Sequence, residues 1–177
     1  MTFVDGENLA IRYGEMLGEE QPKNHVIYRK DVYVWSRHAS RSRDLAQYIR
    51  RYYYTSSPGD HDEQRKCEEE LRKVGIEAPR IFHKPRSGRS KRVDITLATE
   101  MLAHAHRKNY DIAVLVAGDE DYVPLVEAVK GEGRQVVLWF VTDGLSRALL
   151  GTADHFWNLD ELLFRDDKDP AFSVLYF

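Results

Sequence analysis

Four aspartates in three short segments are the residues of this chain best suited to chemistry. Asp119 and Asp121 follow an apolar run that ends at Gly118. Asp5 follows a shorter apolar stretch, and Asp94 follows a basic one. Several carboxylates that lie close together repel each other unless a cation or a proton compensates their charge. Since Mg²⁺ and Mn²⁺ prefer oxygen ligands and often retain water, these acids predict an open catalytic site for a hard cation.

The positions of the acids along the chain predict that they meet at one edge of a sheet. Ligands of open α/β folds bind outside the carboxyl ends of parallel strands. If strands at residues 3–4 and 112–117 are neighbours, their ends lie about 5 Å apart and Asp5 faces Asp119. Asp94 lies at the start of the helix that precedes the second strand, and a negative charge is favourable at a helix N-terminus. It reaches the same edge only if the chain turns there.

Each acid also has a simpler interpretation. Asp-Gly is a frequent turn pair, and Asp119 or Asp121 could simply cap the following helix. Taken singly, capping or solvation is the commoner role for such a residue. The occurrence of all four acids at strand ends favours the metal site.

Alternating strand and helix patterns predict an α/β domain with a mostly parallel sheet covered on both faces. The near-continuous apolar runs at 112–117 and 136–141 are typical of strands buried on both sides. Further strands are predicted at 3–4, 51–54, 76–82 and 155–159, and residues 32–35 form either an extra strand or a core segment. Helices are predicted at 61–74, 93–107, 123–130 and 145–150. We expect one domain over residues 1–165 and a tail over 166–177.

Composition excludes several classes of protein. The 177 residues carry a formal net charge of -3, so no overall basic field indicates nucleic acid. The single cysteine, Cys67, excludes an internal disulfide framework and a cysteine-built zinc site. The seven histidines show no metal-ligand spacing, and neither a P-loop nor a nucleophilic serine elbow is present. No apolar run approaches the roughly 18 residues of a membrane span, so we expect a cytoplasmic protein.

Two basic regions are candidates for contact with nucleic acid. The segment before Asp94 is rich in cations and in residues that favour a flexible backbone, and it is predicted to hold phosphate oxygens. Its cations are Lys84, Arg86, Arg89, Lys91 and Arg92. The alternative is a solvated loop that offsets nearby acids. In the Arg/Tyr-rich stretch 37–54, Tyr48 and Tyr52–Tyr54 could stack bases, although tyrosines on a strand are more often part of a core.

Three motifs occur in a fixed order along the chain. They are Phe3-Val4-Asp5-Gly6-Glu7-Asn8-Leu9, Lys91-Arg92-Val93-Asp94-Ile95 and Ala117-Gly118-Asp119-Glu120-Asp121-Tyr122. Together they resemble the NYN branch of the PIN-like nuclease superfamily, in particular its bacterial LabA-like group. Residues 146–159 resemble the last helix and strand of that group. Ala117 stands where many relatives have Ser, and Tyr122 where many have Phe.

The resemblance implies a three-layer α/β/α PIN-like fold, a bound Mg²⁺ or Mn²⁺ and the hydrolysis of RNA phosphodiester bonds by an endoribonuclease. By motif, Asp5, Asp94, Asp119 and Asp121 are the metal-site acids, and Asn8 supports the site or the substrate. The expected partner is RNA, single-stranded or structured, and a homo-oligomer remains open. The alternative function is an adaptor that binds nucleic acid with little or no turnover. A small-molecule phosphohydrolase is a third class, but the Asp-x-Asp motif of such enzymes is missing at Asp5.

Overall fold

The structure is a computed structural model that describes residues 1–41, 48–84 and 91–166. Six strands of the described chain form one sheet, and every neighbouring pair in it is parallel. Two others form a separate antiparallel hairpin. The strands are β1 (Thr2–Asp5), β2 (Val26–Arg29), β3 (Tyr33–Ser36), β4 (Arg51–Ser57), β5 (Ala78–His83), β6 (Ile112–Val116), β7 (Gln135–Phe140) and β8 (His155–Asn158).

Helices cover both faces of the sheet, which gives three layers. The described helices are α1 (Gly6–Leu17), α2 (Arg37–Arg41), α3 (His61–Lys73), α4 (Lys91–His106), α5 (Val123–Gly131), α6 (Arg147–Thr152) and α7 (Asp160–Phe164). One face packs against α4, α5 and α6; the other packs against α1, α3, α7 and the β2–β3 hairpin. A 3₁₀ turn over Glu120–Tyr122 precedes α5. The predicted three-layer α/β/α fold is confirmed.

Two cores explain why the central strands are apolar without a break. Successive strand side chains point to opposite faces. Phe3 accordingly packs in the core beneath α4 and α5, while Val4 packs in the core beneath α1 and the hairpin. Tyr52 and Tyr54 face the first core and Tyr53 faces the second. These three tyrosines are at most 4% exposed, so the hypothesis that they stack bases is wrong.

The order of the strands in the sheet places a switch point at its centre. The order is β5-β4-β1-β6-β7-β8, so the chain builds outward from β1 in one direction and outward from β6 in the other. Crossovers on either side of such a point leave a crevice at the carboxyl ends of the two central strands, and ligands of open α/β sheets bind there. In this protein, Asp5 ends β1 and Gly118 follows β6 closely.

The prediction was wrong at the end of β4 and missed α1. Thr55, Ser56 and Ser57 continue β4 because each is fully buried with its hydroxyl paired: Thr55 donates to the Val32 carbonyl and Ser56 to Glu7. Helix α1 was not predicted at all. The extra strand at 32–35 is confirmed as β3.

The described part of the chain contains no helix with the length and apolar character needed to cross a membrane. The predicted tail, 166–177, lies outside the described residues apart from Asp166, whose carboxylate is 3.3 Å from the Lys23 ammonium.

Candidate acidic active site

Asp5 stands at the centre of the site, where β1 passes directly into α1. It is the N-cap of α1, and its Oδ1 accepts a hydrogen bond of 3.0 Å from the Asn8 N–H. Its other oxygen, Oδ2, accepts a hydrogen bond of 2.9 Å from the Tyr122 hydroxyl. The residue is only 4% exposed. The short strand thus ends in a buried carboxyl whose two oxygens are both fixed in place.

Burial makes the negative charge of Asp5 costly. Loss of hydration, together with the nearby charges of Asp94 and Glu7, raises the pKa of this carboxyl from 3.8 to about 7. The hydrogen bonds from the Asn8 N–H and Tyr122 act in the opposite direction. At neutral pH this carboxyl therefore needs a proton or a cation to compensate its charge.

The second acidic segment is tied to the first through Asn8. The Gly118 N–H donates a hydrogen bond of 3.1 Å to Asn8 Oδ1, which joins the start of α1 to the end of β6. Gly118 must lack a side chain because a Cβ there would lie 2.3 Å from the Phe140 ring. Asp119 then caps the 3₁₀ turn by accepting a hydrogen bond of 3.2 Å from the Asp121 N–H.

Tyr122 brings the third acidic segment to the same place. Its hydroxyl lies 3.3 Å from Asp94 Oδ1, in addition to its contact with Asp5. Asp94 lies in the first turn of α4, and this contact shows that α4 begins at the switch point. Asp94 therefore reaches the same edge of the sheet as Asp5.

All four predicted acids line one cavity of about 460 Å³: Asp5, Asp94, Asp119 and Asp121. Asp5 is buried, Asp119 is half-buried, and Asp94 and Asp121 are exposed. The capping interpretation also describes Asp5 and Asp119 correctly, because each caps the element that follows it. Capping uses one oxygen of each carboxylate and keeps the group at the cavity wall, so the two roles are compatible.

The donor set fits a hard divalent cation by its chemistry. Every acid that lines the cavity offers oxygen, and Asp5 is a buried carboxyl that a cation would compensate. Within the described residues, no group of three or more His, Cys, Asp or Glu side chains is arranged to hold a metal ion. Mg²⁺ commonly binds through one or two carboxylates and keeps its other waters, so a closed cage is not required.

The predicted basic residues are only partly described. Lys84 Nζ lies 2.9 Å from Glu7 Oε1 and donates to the Asp31 carbonyl, so its charge already has a partner. The Arg92 guanidinium is 5.4 Å from the centre of the Phe82 ring. Arg86, Arg89 and the side chain of Lys91 lie outside the described residues. Phosphate binding by this segment stays a prediction.

Two polar groups of the site were not predicted from the sequence. Glu7 is 4% exposed and accepts a hydrogen bond of 2.9 Å from Ser56, beside its ion pair with Lys84. Tyr122 is also 4% exposed, and its hydroxyl joins Asp5 to Asp94. Glu7 was detectable in principle, because it shares the turn between Asp5 and Asn8. Nothing in the sequence indicated the direction of the Tyr122 hydroxyl.

Replacing Tyr122 with Phe is expected to destabilise the metal-free protein by about 1–3 kcal/mol at pH 8, because the buried Asp5 carboxylate loses a hydrogen-bond donor. The loss should be smaller at pH 5, where Asp5 is protonated. Chemical denaturation at both pH values measures this difference. Tyr110→Phe is the matched control, since the buried Tyr110 hydroxyl donates to the neutral Met101 carbonyl. Equal, pH-independent losses in the two variants would contradict the role assigned to Tyr122.

Fold and site together define an α/β/α domain with an acidic crevice at the switch point of a parallel sheet. The NYN domain family model matches residues 1–160, and the chain belongs to that family. Members of this family are generally nucleases. The LabA-like subgroup remains a prediction.

Among solved structures, the chain is similar to a protein of unknown function from Vibrio parahaemolyticus, with a TM-score of 0.62 and 20% sequence identity. The similarity covers 92% of this chain and 94% of that one. At this identity it supports the fold alone. No curated protein matches the chain significantly.

Proposed function

We propose that this protein is a metal-dependent endoribonuclease that hydrolyses RNA phosphodiester bonds. The observation that carries the proposal is the shared cavity of Asp5, Asp94, Asp119 and Asp121. These acids come from three separate segments of an NYN domain and meet at the switch point. A protein that only bound nucleic acid would gain nothing from an anionic wall facing the phosphates.

In this proposal Asp5, Asp94 and Asp119 bind one or two Mg²⁺ or Mn²⁺ ions, directly or through the waters that such ions retain, and Asp121 is a further ligand or orients a bound water. When bound, such an ion activates water and stabilises the charge that develops on phosphate oxygens. The protein contributes a fixed geometry. The Asn8 N–H and the Tyr122 hydroxyl orient the Asp5 carboxyl, and the Gly118 N–H bond to Asn8 fixes the Asp119 segment beside it.

The substrate would be held by the basic segment that precedes Asp94. We assign phosphate contacts to Lys84, Arg86, Arg89, Lys91 and Arg92, which shortly precede Asp94 in the sequence. Lys84 would have to leave Glu7 or bind phosphate from its paired position. In this proposal Asn8 supports the site through its hydrogen bond from the Gly118 N–H. Its side-chain amide nitrogen would also contact RNA directly.

Cleavage should require Mg²⁺ or Mn²⁺ and disappear with EDTA, while the fold persists. The physical reason is that carboxyl groups supply no positive charge, so the site cannot stabilise a phosphate transition state without a cation. The test uses linear RNA, closed circular RNA, DNA and phosphate monoesters as substrates, with circular dichroism as the control for folding. Cleavage of circular RNA would establish endonucleolytic action.

The same assay separates the alternatives. An adaptor would bind RNA and leave every substrate intact in either metal, and a small-molecule phosphohydrolase would act on the monoesters alone. Full RNA cleavage in chelator, with metal content measured as zero, would contradict the mechanism.

A further inference from the structure

The cavity that contains the acids continues into an apolar groove between α4 and α5. Its apolar lining comes from Ile95, Ala98 and Leu102 on α4 and from Pro124, Leu125 and Ala128 on α5. The α4 residues are three and four positions apart and therefore lie on one face of the helix. From Ile95 to Leu102 this face extends about 10 Å away from the acids.

The groove is open to solvent where it meets the acids. Ile95 directly follows Asp94 and is 64% exposed, which is the largest exposure among the large hydrophobic side chains of the described residues. Pro124 and Ala128 are exposed on the opposite wall, while Leu125 closes the floor at 7% exposure. A pocket with an apolar body and charged groups at one end suits a ligand of the same polarity pattern.

A nucleotide has this pattern, with an anionic phosphate attached to a flat base whose two faces are apolar. We propose that the groove binds the base of the nucleotide next to the scissile phosphate, so that the protein engages RNA through an unpaired base. This inference rests on the proposed nuclease function, and it adds the place in the fold that would hold the base beside the cut. The volume of about 460 Å³, shared with the acids, lies within the range of small-ligand pockets and suits one nucleotide.

The lining also indicates how the base is recognised. Away from the acids, Thr99 is the one hydrogen-bonding side chain among the described residues that line the groove, and its hydroxyl already donates to the Ile95 carbonyl. The groove therefore excludes water from the faces of a base and does not read its edges. It selects unpaired over paired nucleotides and discriminates weakly among the four bases, because every base has a similar flat face.

The test compares binding of a short single-stranded RNA with binding of the same ribose-phosphate chain without bases. Both are measured by fluorescence anisotropy in Mg²⁺, in an Asp119→Asn background that keeps the RNA intact. The normal RNA should bind about tenfold more tightly, since only it can bury a base. Ile95→Ala and Leu102→Ala should each reduce this ratio to about twofold or less, because they remove one wall of the groove.

Leu150→Ala is the matched control: Leu150 is an exposed leucine at 39% on α6, outside the groove, and its loss should leave the ratio unchanged. Thermal unfolding of each variant verifies the fold, and Ile95 is too exposed for its truncation to disturb the core. A ratio that stays near tenfold in both groove variants would overturn the inference, and the groove would then be a surface for another partner, such as a protein. Equal binding of the two chains by the unmodified groove would also overturn it.

The proposed function and the inference can fail separately. The protein could bind normal RNA more tightly than the chain without bases, lose this preference in Ile95→Ala, and yet never cleave RNA. That result would contradict the nuclease function and support base binding in the groove. The wild-type protein could instead cleave, at the normal rate, an RNA that lacks the base next to the cut. That result would support the nuclease function and contradict base binding in the groove.

Discussion

RNA cleavage should fall by roughly a thousandfold when Asp119 is replaced by Asn, which is the scale of losing one strong electrostatic contact to a transition state. The substitution removes a negative charge from the cavity wall and keeps the size of the side chain. An Asn carbonyl can still accept the hydrogen bond from the Asp121 N–H, because Asn is as good an N-cap as Asp. The fold should therefore be retained, and single-turnover cleavage in Mn²⁺ measures the loss.

A second N-cap on the same chain provides the control. Asp60 caps α3 by accepting hydrogen bonds from the Asp62 and Glu63 N–H groups, and it does not line the acidic cavity. Asp60→Asn makes the same chemical change at a cap of the same kind. We expect wild-type cleavage from this variant, so any loss specific to Asp119 comes from its place in the cavity.

The other acids should follow Asp119. Asp5→Asn and Asp94→Asn are expected to abolish turnover as well, because the three carboxylates belong to the same metal site in the proposed mechanism. If Asp5, Asp94 and Asp119 can each be replaced with no loss of cleavage rate, these acids have only a structural role and the cleavage comes from another site.

Strand ends and acids were predictable from the sequence because both are local properties. An unbroken apolar run followed by Gly118-Asp119 specifies a buried strand and its polar end without knowledge of any partner. The convergence of Asp94 with Asp5 was not predictable, since it depends on how α4 enters the sheet. The resemblance to the NYN family supplied that step, and the contact of Tyr122 with both carboxylates now gives its physical basis.

The parts that sequence reasoning missed depend on pairing between distant residues. Thr55 and Ser56 are polar and predict a turn, but they continue β4 because the Val32 carbonyl and Glu7 satisfy their hydroxyls. Glu7 itself is predicted to be exposed by its residue type. It is buried because Ser56 and Lys84, 49 and 77 positions away, compensate its charge. Such partners become visible only when the fold is known.

Without metal, the protein should lose about 4 kcal/mol of stability from Asp5 between pH 4 and pH 7. Burial raises the pKa of this carboxyl to about 7 in the folded protein, against 3.8 in an unfolded chain. Below pH 4 both states are protonated and nothing is lost. As the pH rises, the unfolded chain ionises first, so the folded state loses stability until Asp5 also ionises near pH 7. Above that pH the loss is constant.

Asp5→Asn removes the charge and should therefore abolish this decline. In EDTA the variant should match the wild type at pH 4 and exceed its free energy of unfolding at pH 8, as measured by urea denaturation. Asp154→Asn is the control of opposite sign, because the Val136 N–H and the Lys130 ammonium hold the pKa of Asp154 below its usual value. Asp154 stabilises the folded state at neutral pH and loses that effect in acid, so its replacement should cost stability at pH 8.

Magnesium should reverse the order of wild type and Asp5→Asn at pH 8. A cation that binds only the folded state stabilises it by mass action, and the wild type alone keeps the buried carboxylate for it. Titration of Mg²⁺ should therefore raise the free energy of unfolding of the wild type at pH 8 and leave that of the variant nearly unchanged. The free energy of unfolding of the wild type could instead stay constant between pH 4 and 7 and on addition of Mg²⁺. That result would show that burial does not raise the pKa of Asp5 and that Asp5 does not bind the ion.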